Sequence, residues 1–158
     1  MLVRLVATPA ACTPRPQSLA RLAPLDTAWA ITVALPTLLP GTVSTDLFTR
    51  HGSTLGIAEL VLALSRVNAT LPHATLDAVR NTVVNAEKAR AYTGRGGEMV
   101  RAAMCRLIQA QCLADHPISR RAALRMVQTV DECLRHPNDA IQAAALAALR
   151  ALTCHALY

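Results

Sequence analysis

At 158 residues the chain is long enough for one compact domain or a short run of helical repeats. Hydrophobic residues make up 53% of it and aromatic residues 3%, a balance that favours helices over sheets, whose strands draw on aromatic and β-branched side chains. The net charge of +6, built from 15 arginines and one lysine, suits an acidic partner, but one Phe, one Trp and two Tyr cannot form the stacking platform that nucleic acid needs.

Residues 1–26 differ from the rest. Pro9, Pro14, Pro16 and Pro24 forbid a long helix there, and no acid precedes Asp26. Arginines without acids are compatible with a mitochondrial transit peptide, yet Pro14 and Pro16 interrupt any amphipathic helix. The reading adopted is an unstructured or non-native leader over 1–26, followed by a helical segment over 27–158. The longest apolar run, 28–39, contains Pro36 and falls short of the roughly 20 residues of a membrane span.

From Ala28 to Leu39 the pattern predicts a short helix, interrupted or closed by Pro36, Pro40 and Gly41. Ser44, Thr45 and Asp46 offer N-cap oxygens for a second helix reaching about Val67, with Ile57, Leu60, Val61, Leu64 and Val67 as its buried stripe. That helix contains Gly52 and Gly56, each costing roughly 1 kcal/mol against alanine. Being four apart they share a face, which predicts close approach of another backbone. Asn68-Ala69-Thr70 ends the helix; it matches a glycosylation acceptor without a signal peptide to give that match meaning.

Pro72 and Thr75 open a third helix to about Arg90, turning Leu76, Val79, Val83 and Ala86 inward. After the glycine loop Gly94-Arg95-Gly96-Gly97, a fourth helix runs from Glu98 to Leu113 with Val100, Met104, Leu107, Ile108 and Gln111 inside. Ser119 caps a fifth, with the stripe Leu124, Val127, Val130 and Leu134. Asn138 or Asp139 caps a sixth, lined by Ile141, Ala145, Ala148, Leu149, Leu152 and Ala156. Alternate helix starts recur at close to the roughly 40–47 residues of HEAT and armadillo repeats. The expectation is therefore all-α, a HEAT/armadillo-like α-solenoid segment of about three helical hairpins, with a compact helical bundle as the rival.

Little of this sequence suggests chemistry. Cys12, Cys105, Cys112, Cys133 and Cys154 are odd in number and irregular in spacing, and read as small core residues rather than a disulfide framework. Cys112 and His116 have helical spacing for zinc, but no further pair of ligands follows. The glycine loop lacks the Gly-Lys-Ser/Thr ending of a phosphate-binding loop and follows a helix, so it reads as a turn from which Arg95 and Arg101 reach an acidic partner. His51 beside Arg50 has no recognisable nucleophile and orienting acid. The arginines are dispersed, and Arg120-Arg121 with Arg125 one turn later form the one local cluster, read as a solvated face. No catalytic, cofactor or metal residue is assigned.

Three segments carry a family resemblance: Asp46-Leu47-Phe48-Thr49-Arg50-His51-Gly52-Ser53; Gly94 to Arg101 with Ala103-Met104-Cys105-Arg106-Leu107-Ile108; and Ala143-Ala144-Ala145-Leu146-Ala147-Ala148-Leu149. Their order over roughly residues 30–158 resembles the C-terminal half of the tubulin-specific chaperone D (tubulin-folding cofactor D) family. The resemblance implies a non-enzymatic, cytoplasmic and cytoskeleton-associated HEAT-repeat scaffold that binds β-tubulin after chaperonin release. It implies further that such a scaffold works with tubulin-folding cofactors C and E and an ADP-ribosylation-factor-like small GTPase. Together these assemble or dismantle the αβ-tubulin heterodimer and stimulate GTP hydrolysis by tubulin. Arg50, His51, Arg95 and Arg101 are the candidate partner-binding residues. Family members are several times longer, so a fragment, truncated isoform or misplaced gene start is expected, as is self-association through a face meant for a neighbouring repeat. A generic α-solenoid adaptor is the alternative function.

Overall fold

The computed structural model describes residues 16–92 and 96–156. Among them the regular elements are all helical: α1 (Pro16–Leu22), α2 (Thr27–Trp29), α3 (Leu35–Leu38), α4 (Leu47–Arg66), α5 (His73–Lys88), α6 (Gly97–Leu113), α7 (Arg120–Leu134) and α8 (Asp139–Ala156). A π-helical turn, Ala30–Ala34, joins α2 to α3, and a 3-10 turn, Leu39–Val43, follows α3.

The helix expected over 28–39 is thus a broken one that continues to Val43. Pro36 has no N–H to donate, and its ring crowds the carbonyl four residues back; a widened π turn just before it relieves both problems. Ala30, Ala34, Leu35 and Leu38 are nevertheless buried. The packed part of the chain also begins before residue 27. Proline at the first helical position gives up no hydrogen bond, so α1 fits between Pro16 and Pro24. Leu19 and Ala23, one turn apart, are buried where α1 meets α4.

The helix ends follow local chemistry. Asp46 caps α4, its Oδ2 accepting from Thr49 N at 2.7 Å and Thr49 Oγ1 at 2.6 Å. Ser119 Oγ accepts from Ala122 N at the start of α7, and Asn138, rather than Asp139, caps α8 through Ala140 N. Three C-termini close in one way. Asn68, Arg90 and Asp115 adopt left-handed φ of 54°, 51° and 53°, and the next amides return to the carbonyls of Leu64, Ala86 and Gln111. This is the closure usually given to glycine, repeated after α4, α5 and α6 without one.

Packing separates solenoid from bundle. The most extensive contacts join alternate helices, α4 to α6 and α6 to α8, while α5 packs on α7 in a second layer and α7 closes onto α8. Alternate helices begin at Leu47, Gly97 and Asp139 in one layer and at His73 and Arg120 in the other. Layers built at that period are how stacked helical hairpins bury a continuous core. The described chain is all-α with a solenoid-like arrangement.

Burial corrects three sequence expectations. First, α4 is enclosed nearly all round: Ser53, Thr54, Ile57, Ala58 and Leu60 to Leu64 are all buried, so its apolar surface is wider than one stripe, while Val67 lies beyond the helix and is exposed. It meets α1, α3, the 3-10 turn and α6, which leaves only Leu55 and Glu59 partly exposed along its centre. Second, the glycine face receives side chains rather than another backbone. A methyl group on Gly56 would stand 3.0 Å from Leu38 Cδ1 and 3.3 Å from Leu19 Cδ1. Third, the inward face of α7 is rotated. Leu124 and Val127 are exposed, whereas Met126, Thr129, Val130 and Cys133 are buried. Both sets have helical spacing; the second prevails because α7 must cover α5 and α8 together, and Thr129 Oγ1 donates to Glu87 Oε1 at 2.8 Å, satisfying its polar atom. Elsewhere the expected core holds: Val79, Val83, Ala86, Val100, Met104, Leu107, Ile108 and Gln111 are all buried, with Gln111 Nε2 donating to the Val79 carbonyl at 3.2 Å.

Candidate interaction surface

The Arg50-His51-Gly52 segment lies in the second turn of α4. Arg50 Nη1 donates to the Ser44 and Thr45 carbonyls at 2.8 and 3.0 Å, tying down the turn that precedes the helix. His51 is half-buried, and burial holds its imidazole below the ordinary value. Gly52 is buried. Arg50 therefore directs Nη1 toward the turn before its own helix.

Arg101, in the second turn of α6, is also engaged. Its guanidinium lies 5.5 Å from the centroid of the Tyr92 ring and its Nη1 stands 3.4 Å from Glu132 Oε2 of α7. Arg95 lies outside the described residues. The glycines after it have a steric role. Gly96 takes a φ of +78° with Leu47 packed against it, and a side chain on Gly97 would strike the Tyr92 carbonyl. Two glycines there let the chain turn sharply beneath Tyr92 into α6.

Three of the four described thiols are core groups, and Cys154 departs from that expectation. Cys105, Cys112 and Cys133 are buried and Cys154 is exposed. Burial pushes the Cys112 thiol up to about 11. Cys105 of α6 and Cys133 of α7 interact, which raises the Cys105 thiol and, with the Arg101 guanidinium nearby, lowers that of Cys133.

A polar concavity runs between α5 and α7. Its first half is lined by Asn81, Val84 and Lys88 from α5 and by Ser119, Arg121 and Arg125 from α7, with Glu87 at its side. It continues past Arg125 toward Tyr92, Arg101 and Glu132. Glu87 is occupied by Thr129 Oγ1 and lies 3.8 Å from Arg125. Lys88 and Arg121 are exposed and have no ion-pair partner among the described residues. The Arg120, Arg121 and Arg125 cluster was visible in the sequence; that Lys88 would face it was not, because the two belong to helices far apart in the chain. A second, more apolar concavity lies on α8, where Ala143, Ala147 and Leu149 flank an exposed Leu146 beside Gln109 of α6.

A stretch of 89 residues, 54% of this chain, is 26% identical to the protein named tubulin-specific chaperone D of Dictyostelium discoideum. It spans 6% of that protein's length. No protein-family model matches the chain, and no solved structure matches it.

Proposed function

We propose that this chain is a scaffold segment in tubulin folding, which binds β-tubulin and works with cofactors C and E and an ADP-ribosylation-factor-like GTPase. In this reading the segment serves post-chaperonin assembly or disassembly of the αβ-tubulin heterodimer, and the complete complex stimulates tubulin GTP hydrolysis. Its own role is non-enzymatic binding, in the cytoplasm and at the cytoskeleton.

The observation that supports this reading is the distant similarity over 89 residues to a protein with tubulin-specific chaperone in its name, in a chain whose helices form stacked layers. An arginine-rich surface adds to it, because complementary charge steers encounter with acidic tubulin surfaces. A pull-down of purified β-tubulin by the chain, at low and at high salt, tests it. Retention that weakens with salt is expected; absence of retention at both would count against this segment binding tubulin by itself. The more general reading, an α-solenoid adaptor for another protein, is favoured by the small share of the relative that the chain spans. What co-purifies with the chain from cells separates the two.

A further inference from the structure

The groove between α5 and α7 is polarised. In the half next to Ser119, three cations, Lys88, Arg121 and Arg125, stand against one acid, Glu87. That acid already accepts a hydrogen bond from Thr129 at 2.8 Å. In the other half the acids are paired: Asp131 is 2.8 Å from Arg135, and Glu132 meets Arg101. Glu87 is shared with Arg125 at 3.8 Å, while Lys88 and Arg121 have no ion-pair partner among the described residues, so net positive charge is gathered at one end of the groove, over a floor that includes the half-buried Val84 and Ala122.

We infer that this groove binds an extended acidic segment of a partner protein, with alternate carboxylates of the segment on Arg121 and Arg125. Arg121 and Arg125 are four residues apart on α7, which separates them by about 6 Å along the helix. In an extended chain, side chains on one side recur every two residues, roughly 6.6 Å apart. The two spacings match, so one carboxylate can meet each guanidinium, where charge-assisted and bidentate bonds form. Lys88 closes the groove from α5 as a third cation. The small side chains of Val84 and Ala122 leave room for a backbone to lie between the helices.

A nucleic acid strand fits this surface less well. The Tyr92 ring, which could stack a base, is covered by Arg101. The inference rests on the chain being a protein-binding scaffold, and it does not require the partner to be tubulin.

The test is fluorescence anisotropy of the full chain with a labelled peptide of alternating Glu and Ala, about eight residues long. The comparators are a peptide of the same composition with its glutamates in one block, and an oligothymidylate of equal charge. The alternating peptide is expected to bind best. Its affinity should fall with salt and by at least about tenfold in Arg121→Glu and in Lys88→Glu, both exposed positions whose substitution is expected to leave the circular dichroism spectrum unchanged. Absence of peptide binding, equal binding by both variants, equal binding of the block peptide, or tighter binding of the oligothymidylate would each overturn it. Pull-downs of β-tubulin with the same variants separate the two proposals. Loss of peptide binding with tubulin retained upholds the groove and moves the tubulin contact elsewhere. Tubulin binding without any peptide binding overturns the groove alone.

Discussion

Glu59 of α4 and Arg106 of α6, 47 residues apart in sequence, join the two central helices: Arg106 Nη2 lies 2.7 Å and Nε 2.9 Å from the same Glu59 oxygen. Glu59 is only 17% exposed, so removing its partner strands a carboxylate that water reaches poorly. Arg106→Met is expected to cost about 1–2 kcal/mol in urea unfolding. Because Glu59→Gln removes the charge that needed pairing, the double variant should lose less than the sum of the two singles. Strict additivity would show that the pair contributes no coupling.

Gly56 offers a second test of packing. Replacing it by alanine adds helix propensity of roughly 1 kcal/mol but presses a methyl group onto Leu38 and Leu19. Those contacts are flexible side-chain ends, so Gly56→Ala is expected to leave stability within about 1 kcal/mol of the parent. Gly56→Leu cannot be accommodated, and should cost about 2–3 kcal/mol. Hydrogen exchange is expected to show lost protection first in α1 and α3, the elements seated on that face. Unchanged exchange there would mean the Gly56 face does not hold them.

Acid should destabilise the fold through histidine. Burial holds both His51 and His116 below the ordinary imidazole value of 6.5, and the Arg80 cation adds to the effect at His116. As pH falls through 6.5 the unfolded chain takes up these protons and the folded chain does not, so stability declines until the folded values are reached. Above 6.5 both states are neutral at these rings and the effect disappears. Thermal unfolding of His51→Gln/His116→Gln should therefore depend less on pH between about 7 and about 5 than that of the parent. An identical slope would exclude these two rings as its source.

Thiol labelling reports the core directly. On the folded chain, iodoacetamide is expected to modify Cys154 quickly, and Cys105, Cys112 and Cys133 only as fast as the structure opens. Although its interaction with Cys105 and the nearby Arg101 lower the Cys133 thiol, it is fully buried, and access governs its reaction. Peptide mapping by mass spectrometry checks this; fast labelling of Cys133 at low denaturant would reveal local opening between α6 and α7.

The interaction surface was half legible in the sequence. Arg121 and Arg125 declare themselves as neighbours because helical spacing places them one turn apart. Lys88 joins them only because α5 packs on α7. Arg50 and Arg101 stood out in the sequence by their motifs, and their partners could not be read there, since one turns back to the Ser44 and Thr45 carbonyls and the other crosses to Tyr92 and Glu132.

By itself the sequence determined the helical class, the helices from α4 to α8 to within a few residues, the cap Ser119, and the short runs 44–46 and 138–139 from which the structure takes Asp46 and Asn138 as caps. Each of these depends on hydrogen bonds or steric limits spanning only a few residues. Only tertiary structure decided that α4 is enclosed, that α7 turns Met126 and Thr129 inward, that Gly56 makes room for Leu19 and Leu38, and that the cations of α5 and α7 share a groove. A helix carries several faces of similar hydrophobicity, and which one is buried is set by neighbours tens of residues away.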